Sequence, residues 1–425
     1  MHERRLERAS PEERAEHQLG RLNGLLQEIL PVNRFYAAKL GTLPYDLGWD
    51  GFRSLPFTRK AELVEDQAGA PPFGTLATYP PGEYVAWHQT SGTTGRPLVV
   101  CDTAESWDWW TDCWQAVYDA AGVTRADRVF FAFSFGPFIG FWSAHEAAQR
   151  MGALCIPGGG LDSRGRLHLL RQSRATVLLC TVTYALRLAE VARSEGLRLR
   201  DLHVRTTIHA GEPGASIPSV RARVEQAWGA RCFDHAGATE VGAYAFACEV
   251  RDGLHVNENE FIVEVVDAQG RPVSEGETGE LVLTSLGRAG WPVIRYRTGD
   301  LAIMGNRHCP CGRTLLTLPG GLVGRADDLM IVRGVNVYPS AIEAIVREFE
   351  VAEFRMVRTR RDAMEELLVE VEAAAEVAQA LRGRLRERLG LRVQTLAVAG
   401  GSLPRFELKA RRVVDLRNQP TAHSA

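Results

Sequence analysis

Between Val129 and Gly229, apolar β-rich runs alternate with amphipathic ones, and this alternation restricts the chain more than any other feature. "VFFAFSF" (Val129 to Phe135) reads as a strand, and "WSAHEAAQRMGA" (Trp142 to Ala153) as a helix closed by Gly152. "ATVLLCTV" (Ala175 to Val182) has the unbroken apolar character of a buried strand, and "YALRLAEVARSEG" (Tyr184 to Gly196) that of a helix with a glycine stop. "VRTTIHAG" (Val204 to Gly211) followed by "SVRARVEQAWG" (Ser219 to Gly229) repeats the unit. Strand, crossover helix, strand predicts a largely parallel sheet covered by helices. After Glu260 the texture changes to short strands joined by turns, "FIVEVVDAQGRPV" and "GELVLTSLG", which predicts an antiparallel or barrel-like subdomain. Past Gly324 a further unit begins, and "VEAAAEVAQALRGRLRERLG" predicts an amphipathic helix with one solvated face in a small α+β domain. The expected class is α/β: a large N-terminal domain with mixed or parallel sheets and helices plus a barrel-like β subdomain, then a small C-terminal α+β domain. A chain of 425 residues is too long for one ordinary core, which agrees with two domains.

Charge narrows the function classes. A net charge of −2 with 24% charged residues gives no electrostatic reason to bind nucleic acid or an anionic membrane. No apolar run reaches the length of a membrane span. The first residues, "MHERRLERASPEERAEHQLGRL", have no apolar segment behind the charges, so a surface helix is expected rather than a secretory signal. Eight cysteines in a chain of this length do not make a disulfide scaffold, and the expected compartment is the cytoplasm.

The loop "HQTSGTTGRP" (His88 to Pro97) alternates hydroxyls with glycines and ends in a cation. Glycines let backbone N–H groups approach a ligand closely, hydroxyls add donors, and Arg96 adds charge. It lacks the Gly-x4-Gly-Lys-[Ser/Thr] spacing of a Walker loop. Taken alone, such a stretch is more often only a turn. Its companions are "AGEPG" (Ala210 to Gly214), "GATE" (Gly237 to Glu240), "PVIRYRTGD" (Pro292 to Asp300), "GRADD" (Gly324 to Asp328), "RGVNVYPSAIE" (Arg333 to Glu343) and "PRFELKARRV" (Pro404 to Val413).

In this order the motifs resemble the acyl-adenylate-forming superfamily and, more narrowly, the phenylacetate–CoA ligase family, over nearly the whole chain from Tyr84 to Arg417. The resemblance implies that Ser91, Gly92, Thr93, Thr94, Gly95 and Arg96 bind the β- and γ-phosphates of ATP, with arginine where the family usually has lysine. It implies that Thr239 touches the α-phosphate and Glu240 holds Mg²⁺. Asp300 is similar to the aspartate that binds the ribose hydroxyls, and Arg325 to its supporting cation. Gly211, Glu212, Pro213, His235, Ala236 and Gly237 fall among the nucleotide-binding positions. Where the family often has an aromatic before the glycine, this chain has Ala236, so His235 or another ring is expected against adenine. Lys409 resembles the lysine that bridges substrate carboxylate and α-phosphate, although Leu408 replaces the usual glycine before it. Asp327 resembles the hinge residue. The expected domains are therefore 1–326, for ATP and acid, and a mobile 327–425 that carries the lysine.

Cys248 and His255 form a C-x6-H pair, and Cys309 with Cys311 a C-x-C pair. Three thiols and one imidazole suit a closed, structural Zn²⁺ site, weighed against the ordinary use of reduced cysteine as a small core residue, and some members of the family carry the same four. His308 is a substitute ligand. The segment "FAFSFGPFIGFW" (Phe133 to Trp142) aligns with the acid-pocket lining of these ligases, which implies Phe135 and Phe138 against a flat aromatic acid, with Ala210 and Gly237 on the opposite wall. The Trp-rich "ESWDWWTDCW" (Glu105 to Trp114) is read as helix packing or a dimer surface.

The expected activity is ATP-dependent formation of an acyl adenylate from an aromatic acid, followed by transfer to CoA, by a homodimer. Alternatives keep adenylation but change the acceptor to a carrier-protein thiol or an amine, or activate another oxyacid such as nitrite. A non-catalytic nucleotide-binding module is a different class, opposed by the joint presence of Lys409, Glu240 and Asp300.

Overall fold

The computed structural model describes residues 6–90, 96–332, 335–361, 364–390, 393–406 and 410–417. The alternation read from the sequence becomes the parallel half of an eight-stranded sheet. Arg128–Phe131 pairs in parallel with Leu154–Pro157 on one side and Val177–Cys180 on the other; Thr206–His209 and Arg231–Ala238 follow, also parallel. Helices Trp142–Met151, Ser163–Ser173, Val182–Ser194 and Pro218–Trp228 make the crossovers. The two strands Val177–Cys180 and Thr206–His209 are buried at every position, as a sheet covered on both faces requires. The sheet then turns antiparallel through Gly242–Phe246, Leu254–Val256 and Thr317–Leu318.

The predicted antiparallel subdomain is the meander Phe261–Val266, Thr278–Ser285 and Tyr296–Ile303. Tyr296–Ile303 also pairs with Leu322–Arg325 and, in parallel, with the short Thr58–Arg59 strand from far upstream. The helix Ala104–Ala121, capped by Thr103, buries Trp109, Trp110 and Trp114, so the tryptophan-rich stretch is packing. The N-terminal helix Pro11–Ile29 is a surface helix whose outer face, with Glu12, Glu16 and Glu28, is exposed. Its inner face buries Leu22, Leu25, Leu26 and Ile29, and also Arg14 and Gln18. Gln18 Nε2 donates to the carbonyls of Glu258 and Phe261 at 2.9 and 2.8 Å, which docks the helix on the meander.

From Met330 onward a separate core forms, in which Val337, Ile342, Phe354, Val369 and Leu381 pack together. Its four-stranded sheet runs Gln394–Val398, Met364–Glu372, Phe354–Arg361, Val413–Asp415, backed by helices Pro339–Val346 and Ala375–Leu389. Polar contacts hold this unit against the first: Ser219 Oγ donates to Ala344 O at 2.8 Å, and Arg223 Nη2 to Val351 O at 3.0 Å. No described helix is long and apolar enough to cross a membrane.

Candidate active site

Tyr296 lies between two neighbouring strands, paired with Thr58 on one side and Leu283 on the other. Parallel pairing of Thr58 with Tyr296 delivers Lys60, at the start of helix Lys60–Gly69, to Glu240, where Nζ lies 2.8 Å from Oε1. The Tyr296 hydroxyl donates to the same oxygen at 3.3 Å. Glu240 is nine-tenths buried, so these contacts define its environment. Burial, followed by the charge of Glu240, drives the Tyr296 phenol well above its ordinary value, and it stays a donor.

One turn along the same strand, Asp300 stands opposite Arg325, with Nη1 donating to Oδ1 at 3.2 Å. Arg325 Nη1 also reaches Thr298 O at 3.1 Å, and its Nε donates to Asp327 at 3.1 Å. Gly299 makes this possible. Its φ of +74° suits glycine, and a Cβ there would meet Arg325 Nη2 at 2.6 Å. Burial works against the Arg325 charge, but Asp300 and Asp327 hold its pKa above the ordinary value.

Thr239 is held through its backbone: the buried Arg288 donates from Nη1 to Thr239 O at 3.0 Å. Arg288 is itself gripped by Asp102, with Nε and Nη2 donating at 2.6 and 2.7 Å. On the facing loop, Glu212 accepts from Thr183 N at 2.7 Å and from Ala410 N at 3.1 Å. Gly211 and Pro213 flank it at the surface. Lys409 and residues 91–95 lie outside the described residues. The ends that flank that loop are fixed, because Thr90 N donates to Leu98 O at 2.9 Å and Leu98 N returns to Thr90 Oγ1 at 3.0 Å. Arg96 is exposed just after it.

The His235 ring is not available to adenine. His235 is 5% exposed, its ring lies 4.2 Å from the Trp114 ring, and Nδ1 bonds Ala245 O at 2.8 Å. Arg231–Ala238 is covered on both faces from Cys232 to Ala236, so the imidazole lies in the core, where burial lowers its pKa to about 4 and keeps it neutral. The Ala236 methyl is also core. Of His235, Ala236 and Gly237 only Gly237 is exposed, and a Cβ there would crowd Gly242 O at 3.0 Å.

Phe135 joins a ring cluster with Trp142 at 4.6 Å, His145 at 5.4 Å and Phe133 at 5.6 Å between centroids. Ala210 packs against the same core. Phe138 does not belong: it is 45% exposed and makes no ring contact among the described residues.

The four sulfur and imidazole residues do come together. Ligand atoms of Cys248, His255, Cys309 and Cys311 all lie within 4.8 Å of one another. Cys248 Sγ is 3.7 Å from Cys309 Sγ, and Cys311 Sγ is 3.6 Å from His255 Nε2. A tetrahedron with Zn–S bonds of about 2.3 Å has edges of about 3.75 Å, close to the two separations of 3.7 and 3.6 Å. His308 is not in the cluster.

Sequence reading missed Lys60, Asp102 and Arg288. None sits in a motif, and each reaches the site only through strand pairing or loop packing.

The profile of AMP-binding enzymes matches residues 54–289, and that of the AMP-binding enzyme C-terminal domain matches residues 334–417. The phenylacetate-coenzyme A ligase of Thermus thermophilus is 31% identical over 95% of this chain and 96% of its own. That of Escherichia coli is 32% identical over 97% of each. A solved 2-hydroxyisobutyryl-CoA ligase in the postadenylation state with 2-HIB-AMP superposes with a TM-score of 0.91, at 32% identity, over 97% of this chain and 91% of that one. The same ligase in the thioesterification state superposes at 0.74 over 97% and 92%. The two units of this chain are thus disposed as in the postadenylation form. The chain belongs to the AMP-binding enzymes and, within them, to the phenylacetate–coenzyme A ligase family of AMP-forming acid–thiol ligases.

Proposed function

We propose that this chain joins an aromatic monocarboxylate to coenzyme A in two half-reactions. In the first, a carboxylate oxygen attacks the α-phosphorus of ATP and pyrophosphate leaves. In the second, the coenzyme A thiol attacks the acyl carbon, AMP leaves, and the thiol proton is released. The observation that carries the reading is the grouping of Glu240, Asp300 and Arg325 around Tyr296, with Glu212 on the facing loop bonded to the residue after Lys409. Residues 91–95 and Arg96 take the outer phosphates, Thr239 the α-phosphate, and Asp300 with Arg325 the ribose. Glu240 would hold Mg²⁺, which neutralises charge gathering on the phosphates. Its anionic oxygen, now shared by Lys60 and Tyr296, is a suitable hard ligand. The unit 327–425 turns about Asp327 between the halves, supported by its separate core.

The choice of an aromatic acid rests on the ring wall of Phe133, Phe135 and Trp142, since a relative that handles an aliphatic hydroxy acid is equally similar. Pyrophosphate release measured over a panel of acids tests it. Release with phenylacetate-like acids and thioester seen by mass is expected; release only with short aliphatic acids would overturn it. Glu240→Gln is expected to slow pyrophosphate release by about 10²-fold, the scale of losing one charge-stabilising group. An unchanged rate and Mg²⁺ dependence would remove Glu240 from the metal site.

A structural Zn²⁺ on Cys248, His255, Cys309 and Cys311 would tie the Leu254–Val256 strand to the 309–314 loop. Atomic spectroscopy is expected to find about one zinc per chain. Cys311→Ser is expected to lose it and to melt about 5 °C lower. Metal-free protein of undiminished stability would exclude the ion.

A further inference from the structure

Glu212 stands on the 210–214 loop between the two units and uses each carboxylate oxygen once. Oε1 accepts from Thr183 N at 2.7 Å, and Oε2 from Ala410 N at 3.1 Å. Thr183 lies in the first turn of helix Val182–Ser194, where backbone N–H groups have no carbonyl of their own helix to bond. A carboxylate there satisfies one of them and suits the positive end of the helix. Ala410 belongs to the other unit, and the residue before it is Lys409. Burial raises the Glu212 pKa, and the N–H groups of Thr183 and Ala410 work against that rise.

Two residues further on, Arg412 makes a second tie to the same helix start. Its Nη1 donates to Thr183 Oγ1 at 3.5 Å, and its charge acts on Glu212 across the boundary. Within its own unit Arg412 is gripped by Glu353 at 2.7 and 3.3 Å and by Glu343 at 3.1 Å. Both sides therefore keep partners if the units part: Glu212 retains Thr183 N, and Arg412 retains Glu343 and Glu353. Contacts of this kind can be made and broken in every turnover at little cost. The bonds from Ser219 to Ala344 and from Arg223 to Val351 also join the units, but they engage the stretch 344–351, far along the chain from Lys409.

We infer that Glu212 is a positioning residue for the first half-reaction: by accepting from Ala410 N it holds Lys409 at the reacting groups, and it lets the lysine go when the unit 327–425 turns. This role rests on the proposed function, in which Lys409 serves the first half-reaction. The place calls for a carboxylate, since two N–H groups approach two oxygens. Glutamine has the same shape but only one acceptor oxygen, and its amide N–H groups would face the second donor.

The test is a cycle of four full-length chains: parent, Glu212→Gln, Lys409→Ala and the double variant, each assayed for pyrophosphate release with the best acid of the panel. At saturating ATP, Glu212→Gln is expected to be about 10- to 10²-fold slower than the parent, the scale of one hydrogen bond to a charged acceptor. Its KM for ATP should stay within about twofold, because the loss falls on the transition state. In the Lys409→Ala background the same substitution should change the rate by less than about twofold, since the group through which it acts is gone. Thioester formation from ready-made acyl adenylate should fall far less than pyrophosphate release. Ser219→Ala, which loosens the same boundary away from Lys409, should stay within about threefold of the parent. If Glu212→Gln does not fold, a chain with lactate in place of Ala410, whose ester oxygen replaces the N–H, takes its place with the same expectations. An unchanged rate, a change confined to the KM for ATP, an equal loss in both half-reactions or the same loss from Ser219→Ala would overturn the role. A slow Lys409→Ala made slower again by the full factor would overturn this role alone, and parent-like release from Lys409→Ala would overturn it together with the proposed function.

Discussion

Lys409→Ala is expected to reduce acid-dependent pyrophosphate release by at least about 10²-fold while leaving the second half-reaction nearly intact. Negative charge gathers on the α-phosphate as the carboxylate attacks, and a cation that bridges both groups acts most strongly at that point. Ala410 N donates to Glu212 at 3.1 Å, so the residue after Lys409 is anchored on the 210–214 loop. When the acyl adenylate is supplied ready-made with coenzyme A, the variant should form thioester at close to the parent rate. A fall of only a few-fold in pyrophosphate release would make Lys409 a surface residue. Equal loss in both half-reactions would point to damage to the fold.

Asp102→Ala is expected to cost about 3–5 kcal/mol of stability, because it strands the guanidinium of Arg288 in a dry interior. Both side chains are fully buried, and two charge-assisted bonds of 2.6 and 2.7 Å join them. The Trp110 ring lies 4.3 Å from the guanidinium, and no water-exposed direction remains for it. Denaturant unfolding of Asp102→Ala, Arg288→Met and the double variant forms a cycle. The double variant should cost less than the sum of the singles, since removing both charges removes the stranded one. Because Arg288 also holds the Thr239 carbonyl, either folded single variant should release pyrophosphate more slowly than its stability loss explains. A cost below about 1 kcal/mol would show that the pair is solvated and dispensable.

The N-terminal helix shows where a correct local reading falls short. Ser10 Oγ accepts from Glu13 N at 3.1 Å and Pro11 occupies the first turn, so the helix start was legible from the residue types. Its charge content suggested a surface helix, and its inner face also buries Gln18 on the carbonyls of Glu258 and Phe261 and Arg14 on Leu6 O, Ala9 O and Thr314 Oγ1. The fate of a polar residue depends on acceptors far along the chain.

The sequence by itself determined the parallel strand order's raw material, the positions of the glycine breaks and the motif residues. These depend on local period, backbone freedom and chemistry within a few residues. It also named Cys248, His255, Cys309 and Cys311 as a set before the fold united them. Only the tertiary structure decided which side chain meets which. Asp102 and Arg288 are 186 residues apart, and Lys60 reaches Glu240 because the Thr58–Arg59 strand lies beside Tyr296. His235 lies in the core because both faces of its strand are covered, on its own side by Trp114. Pairing of distant strands sets these contacts, and no window of the sequence contains both partners.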